Sequence, residues 1–225
     1  MSKRIGVGRM IDLQKEKEQV AAYCLQMSTK GLSTGTSGNI SIRNPESGLV
    51  ALSPSGMDYH TMTPDDVVIL DADGKVVDGS RKPSSEWRLH TELYKAKPDM
   101  NAIVHTHSMF CTVMGCLGIP LKAVHYMIAG AGVSEIPVAP YRTFGTAELS
   151  DAAVAASGAS RGVLLQNHGM VACGMNIQKA FSLAIDMEFC AELQWRCMCA
   201  GQPQILSEVQ MAEVMEQFKQ YGQKK

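Results

Sequence analysis

The sequence predicts a single α/β domain in which a mixed, mostly antiparallel central sheet carries helices on its faces. Three observations lead to that class. Strand-like runs are short and stop at turn residues, as at Asn44-Pro-Glu-Ser-Gly48 and Asp71-Ala-Asp-Gly74. Strand and helix segments do not alternate regularly, so the repeated βαβ unit of a parallel sheet is not expected. No internal repeat, low-complexity tract or linker divides the 225 residues, a length that suits one buried core. The expected unit is therefore 1–225, with about 1–9 and 219–225 as mobile ends.

Each element has its own signal. Leu13, Val20, Cys24 and Met27 recur at helical spacing and predict a helix from about Met10 to Lys30, stopped by Gly31. A polar turn, Ser33 to Asn39, leads into a strand at Ile40–Ile42; a hairpin loop then leads to Leu49–Leu52. Val67–Leu70 and Val76–Val77 flank the second hairpin turn. Ser84 or Ser85 is expected to cap a helix bearing Trp87, Leu89, His90, Leu93 and Tyr94. Ala102–His107 reads as a strand, and Phe110–Leu117 as a short helix closed by Gly118. A strand at Ile136–Ala139, a helix at Glu148–Ala156, and two strands at Gly162–Gln166 and Met170–Cys173 follow. Asn176 caps a long amphipathic helix, Ile177 to about Ala200, and Ser207–Phe218 forms the last one.

Composition narrows the function classes. The chain is 45% hydrophobic and 19% charged, which fits a globular protein and excludes disorder. A net charge of −1 creates no field for nucleic acid or an anionic membrane, so neither is expected as a partner. An anionic substrate must then be caught by local donors. Seven cysteines, an odd number without a C-x-x-C pair or a secretory leader before them, predict reduced thiols and a cytoplasmic location. No apolar run reaches the roughly 20 residues that span a bilayer.

The chemistry centres on His105-Thr-His107. Residues i and i+2 of a strand share a face, so both imidazoles can reach one ion. The pair alone does not separate a metal site from two histidines hydrogen-bonded on a sheet. His168, in the polar turn Gln166-Asn-His-Gly169 between two apolar strands, supplies the third member of a three-histidine set with an open fourth position. Spacing leaves that fourth position to Glu86, Glu92 or Glu148. The turn Gly35-Thr-Ser-Gly-Asn39, with Ser53-Pro-Ser-Gly56 and Ser84-Ser85, offers hydroxyls and main-chain donors suited to a phosphate. It matches no nucleotide-binding fingerprint.

Seven segments in order carry a family resemblance. They are Gly35-Thr-Ser-Gly-Asn-Ile-Ser41, Ser53-Pro-Ser-Gly56, Pro83-Ser-Ser-Glu-Trp-Arg88, Val104-His-Thr-His107, His125-Tyr-Met-Ile-Ala129, Ala139-Pro-Tyr141 with Thr143-Phe-Gly145, and Leu165-Gln-Asn-His-Gly169. Together they resemble the class II aldolase and adducin family from about Met10 to Tyr221, most closely its members that cleave L-fuculose 1-phosphate. The resemblance implies one Zn2+ per subunit, held by Glu86, His105, His107 and His168. It implies a phosphate site at Thr36, Gly38, Asn39, Ser55, Gly56, Ser84 and Ser85. Glu86 would leave the metal when substrate arrives and then handle a proton. Tyr126 would serve as a proton donor to a neighbouring subunit's site, and Phe144 and Tyr221 would shape the aldehyde side. A homotetramer with sites between subunits is implied, as is cleavage of a ketose 1-phosphate, expected to be L-fuculose 1-phosphate, into dihydroxyacetone phosphate and a small aldehyde such as L-lactaldehyde.

Related activities compete within the same resemblance. A ribulose-5-phosphate 4-epimerase typically has Asp at the position of Glu86 and lacks the His-Tyr-Met stretch, and both features favour the aldolase. Methylthioribulose-1-phosphate dehydratases and 5-deoxyribose-phosphate aldolases share the histidines. An adducin-like interaction module lacks the full ligand set that this sequence retains.

Overall fold

The computed structural model describes residues 13–220 of the chain. The first helix, α1 (Gln14–Thr29), starts after Leu13, and the Met10–Asp12 part of its expected range lies outside the described residues. Its buried stripe is Val20, Cys24 and Met27, as the helical spacing requires. Strands β1 (Asn39–Arg43), β2 (Val50–Leu52), β3 (Val68–Leu70) and β4 (Val76–Asp78) form an antiparallel meander through the two hairpin turns.

Helix α2 (Trp87–Ala96) follows, then β5 (Ala102–Thr106), α3 (Met109–Leu117) and a short strand β6 (Leu121–Lys122). After them come β7 (Glu135–Ile136), β8 (Val138–Ala139), α4 (Ala147–Ser157), β9 (Gly162–Leu165) and β10 (Gly169–Gly174). Helices α5 (Ile177–Ala200) and α6 (Glu208–Gln220) end the described chain. The Asn176 side chain caps α5 by accepting from the Lys179 N–H at 3.0 Å.

The main sheet has eight strands in the order β4-β3-β2-β1-β5-β10-β9-β8. Every pair is antiparallel except β8–β9, which makes the sheet mixed, as expected. Helices cover both faces of the sheet's centre, so β1, β2, β3, β5, β9 and β10 are buried on both sides and read as apolar runs, whereas the edge strand β4 is exposed. On β5, Ala102 and Val104 face the layer of α1, α3 and α5, whereas Ile103 faces the layer of α2 and α4. On β10, Met170 and Ala172 take the first face and Val171 and Cys173 the second. Leu89 and Leu93 anchor α2 in the second layer, where full burial of each contributes about 1.5–3 kcal/mol. All seven cysteines are free thiols, and Cys24, Cys111, Cys173 and Cys190 are small core residues.

Three local readings are corrected. The expected strand Ile136–Ala139 is two strands, because Pro137 has no N–H to donate and sits where the chain changes partners. Glu135–Ile136 pairs with β6 in a separate two-stranded sheet, and Val138–Ala139 joins β9. The residue at the start of α2 is Glu86, not Ser84 or Ser85; Ser84 Oγ instead accepts from the Glu86 N–H at 3.3 Å. His107 falls one residue beyond β5. A 3-10 helix at Tyr126–Ala131, which no periodicity announced, packs on α5 and α6. Helix α6 continues to Gln220, and the remaining expected mobile ends lie outside the described residues. None of the described helices is long and apolar enough to cross a membrane.

Candidate metal centre and substrate pocket

Two neighbouring central strands and one helix start build the centre. His105 lies on β5, opposite Asn39 of β1 and Val171 of β10, and is fully buried. Its Nδ1 lies 2.9 Å from the Met170 carbonyl, which can only accept, so Nδ1 carries the hydrogen and Nε2 faces the centre. The end of β5 turns His107 the same way, and the two Nε2 atoms are 3.1 Å apart. His168 comes from the tight turn joining β9 to β10. That turn puts Asn167 at φ 54°, the one non-glycine residue at positive φ among the described residues, and asparagine tolerates this region.

Glu86 arrives from the start of α2. Its Oε2 is 3.0 Å from His105 Nε2 and accepts from Asn39 Nδ2 at 3.0 Å. Its Oε1 approaches His168 Nε2 at 3.4 Å, yet is buried with no hydrogen-bond partner among the described residues. The three imidazoles meet edge to edge, with ring centroids 4.8–4.9 Å apart. Glu86, His105, His107 and His168 each offer one ligand atom, and all four atoms lie within 4.8 Å of one another. Three ring nitrogens and a carboxylate pointed at one spot fit a divalent cation, which would satisfy the orphaned Oε1.

The electrostatics agree with that fit. Burial, then the charge on His105, pulls His107 down to about 4; the same causes pull His168 to about 4. Both rings are thus neutral near pH 7, the form in which imidazole binds a metal. Burial would raise the Glu86 carboxyl, but the charge and hydrogen bond of His105, then His168 and Asn39, outweigh it and hold the group well below the usual carboxylate range. For His105, burial opposes the proton and the Glu86 carboxylate overcomes it, so this ring is raised. The pair shows a buried anion that draws positive charge to itself.

A pocket of about 430 Å³ opens in front of the centre. Its walls bring together most of the residues singled out in the sequence: Thr36, Gly38, Asn39, Ser55, Gly56, Ser84, Ser85, Glu86, His107, His168 and Phe144. His105 sits behind them. The hydroxyl clusters converge because the Ser53–Gly56 loop is tied to the Lys82–Ser85 loop. The Ser84 N–H donates to the Ser53 carbonyl at 3.1 Å, and the Ser55 N–H to the Lys82 carbonyl at 2.9 Å. Gly38 has φ 76°, and a Cβ there would stand 2.5 Å from Ser33 Oγ and 2.8 Å from the His105 carbonyl. Only glycine fits this turn, and Tyr59 OH donates to the Gly38 carbonyl to hold it.

Tyr126 does not line this pocket; it is 48% exposed on the 3-10 helix, beside Phe218. Tyr221 lies outside the described residues. Sequence reasoning missed Arg142, among the described residues the one guanidinium or ammonium group lining the pocket, although it lies between the noted segments Ala139–Tyr141 and Thr143–Gly145. A larger groove of about 660 Å³ surrounds Arg43 and shares no lining residue with this pocket. The Arg43 guanidinium is spent on the Tyr94, Pro98 and Met100 carbonyls and on Asn101.

Residues 18–195 match the family described as the class II aldolase and adducin N-terminal domain. The chain is 48% identical over 211 residues to the 5-deoxy-D-ribulose 1-phosphate aldolase of Bacillus thuringiensis serovar kurstaki, covering 94% of this chain and 99% of that one. It is 41% identical over 213 residues to the L-fuculose phosphate aldolase of Escherichia coli O157:H7, covering 94% and 98%. A solved L-fuculose 1-phosphate aldolase superposes with a TM-score of 0.89 at 38% identity, covering 91% of this chain and 96% of that one. With the four-ligand cluster in place, this chain belongs to the class II aldolase and adducin family. Within it the chain is a class II aldolase, an enzyme of the metal-dependent aldehyde-lyase class.

Proposed function

We propose that the enzyme cleaves a deoxyketose 1-phosphate between C3 and C4, giving dihydroxyacetone phosphate and a short methyl-ended aldehyde. The observation that carries this reading is one pocket holding both the Glu86–His105–His107–His168 cluster and a cradle of neutral hydroxyl and main-chain donors. A Zn2+ ion held by those four residues would act as a Lewis acid toward the charge that develops as the bond breaks. The cradle of Thr36, Gly38, Asn39, Ser55, Gly56, Ser84 and Ser85 fits a phosphate at the start of α2, where the helix dipole favours an anion. Holding the phosphate remote from the scissile bond orients the sugar.

Once substrate displaces it from the metal, Glu86 is suited to move a proton at the three-carbon half, because Oε2 is held by Asn39 while Oε1 has no hydrogen-bond partner among the described residues. Tyr126, exposed and away from its own pocket, suits proton exchange at the aldehyde oxygen in a neighbouring copy, as a homotetramer with shared sites requires. Phe144, 65% exposed at the pocket rim, offers an apolar wall for the terminal methyl group, with Tyr221 assigned to the same side. Of two candidate sugars, 5-deoxy-D-ribulose 1-phosphate is favoured by the 48% identical relative, and L-fuculose 1-phosphate is the second reading.

The test is a product assay on those two sugars with L-ribulose 5-phosphate and methylthioribulose 1-phosphate. Dihydroxyacetone phosphate should appear from one of the first two, and the aldehyde identifies which: acetaldehyde from the five-carbon sugar, lactaldehyde from the six-carbon one. Epimerised ribulose phosphate, or a dehydrated product with no three-carbon phosphate, would refute the assignment.

A further inference from the structure

Behind Glu86 lies a second row of polar side chains, of which Ser41, His90 and Tyr94 do not line the pocket. Glu86, His90 and Tyr94 are four residues apart, and so fall on one face of α2 from its first turn onward. Facing them are Asn39 and Ser41, two residues apart on β1 and so on one face of the sheet. The two series interlock. The Asn39 amide lies between Glu86 Oε2 and His90 Nε2, with its Nδ2 on the Glu86 side and its Oδ1 on the histidine side. His90 Nδ1 is 2.7 Å from Ser41 Oγ, which is 2.8 Å from Tyr94 OH. Tyr94 OH also donates to the Ser41 carbonyl at 3.1 Å. Ser41 and His90 have no exposed surface, and Asn39 and Tyr94 have 4% and 3%.

From Glu86 to Ser41, each hydrogen bond in this row has a fixed direction. A carboxylate has no proton to give, so the Asn39 amide must present N–H to Glu86 and its carbonyl oxygen to His90. That oxygen needs a donor, so His90 carries its hydrogen on Nε2. Its Nδ1 then accepts from the Ser41 hydroxyl. Burial pulls the His90 ring down to about 3, so it stays neutral and keeps this one tautomer. An amide free to turn over would present oxygen to oxygen at Glu86. The row forbids that turn.

We propose that His90 is a positioning residue for the reaction: acting through the Asn39 amide, it fixes Glu86 Oε2 as the anchored oxygen and leaves Oε1 as the one that takes and returns the proton. The inference rests on the reading of Glu86 as the proton-handling group. A merely structural polar cluster would influence stability; this one sets the carboxylate.

The test uses the full-length, metal-loaded enzyme. His90→Leu removes the donor to Asn39, and should lower kcat about tenfold or more while the KM changes less than about threefold. Its kcat–pH profile should shift on the acid limb, and bound metal should stay at the wild-type level. His90→Gln, whose amide restores an N–H near the Nε2 position, should recover kcat to within about threefold of wild type. On the unaltered protein, 15N spectra of labelled histidines should show one ring locked as the neutral Nε2–H tautomer from pH 5 to 8, lost in His90→Leu. A locked Nδ1–H tautomer for that ring would overturn the proposal, whatever the variants do. So would a His90→Leu enzyme with wild-type kcat while Glu86→Ala is inactive, or a His90→Gln enzyme as slow as His90→Leu. If Glu86→Ala itself still turned over, the reading of the carboxylate would fall, and this inference with it.

Discussion

At the scale of single residues, the centre is made by atoms that are short of partners. Glu86 Oε1 is buried with no hydrogen-bond partner among the described residues, and the histidine nitrogens face one another rather than donors. Replacing His105 with Ala removes one ligand from the middle of the set, so the variant should fold yet lose bound metal and cleavage together; retained turnover without metal, read by elemental analysis beside the assay, would contradict the scheme. Gly38→Ala forces a Cβ into Ser33 and the His105 carbonyl at positive φ, and should cost more than about 2 kcal/mol in urea unfolding while weakening phosphate affinity. The sequence disclosed His105 and His107 by spacing and His168 by its turn, because metal ligands recur at a few separations. Spacing did not separate Glu86 from Glu92 or Glu148; the family resemblance singled it out and the fold puts it at the start of α2, whereas His90 carried no functional signal at all. Its role depends on meeting Asn39 across 51 positions of chain, which no local pattern encodes.

At the scale of elements, α3 shows how a long-range contact substitutes for a local cap. Ser108 stands at its start but makes no side-chain cap; Glu188 of α5 accepts instead from the Phe110 and Cys111 N–H groups at 2.8 and 2.9 Å. Glu188→Ala leaves two helix-end donors unpaired and should destabilise the protein by about 2 kcal/mol; Glu188→Gln, which retains an acceptor, should lose less, as urea titration will read. Helices with clear stripes or caps, such as α1 and α5, were legible to within a few residues. The two-residue strand β6 was not, and β7 and β8 read as one strand, since pairing across the sheet, rather than their own composition, defines them.

Over the whole molecule, metal and protons both bear on stability. An ion bound only by the folded chain, at about a hundred times its Kd, adds about 2.7 kcal/mol, so a chelator should lower Tm by roughly 5–10 °C in a chain of this size. A scan unchanged by chelator would show that the cluster holds no ion. Asp186 on α5 acts in the opposite sense to a paired carboxylate: burial pushes its carboxyl up to about 6 from 3.8. The folded state therefore keeps this proton longer than the unfolded chain does, and stability falls as pH rises from about 4 to about 6, then stays lowered. Because the side chain is only half-buried, solvent screening reduces the effect to about 1 kcal/mol. Asp186→Asn should be more stable than wild type by that amount at pH 7.5 and equal to it below pH 4, measured by denaturant midpoints.

The break at Pro137 has a consequence for how such an enzyme diversifies. The cluster stands on and just beyond β5, in the turn entering β10 and at the start of α2, at the middle of the sheet, whereas the pocket rim, Tyr141 to Phe144, hangs from β8 at the sheet's open margin. The same strap runs back through β7 to the short helix bearing Tyr126. On the reading proposed above, substitutions in its Tyr141–Phe144 stretch would reshape the mouth without touching the four-residue cluster. On that reading, substrate choice is free to change at the rim while the cluster at the middle of the sheet is kept.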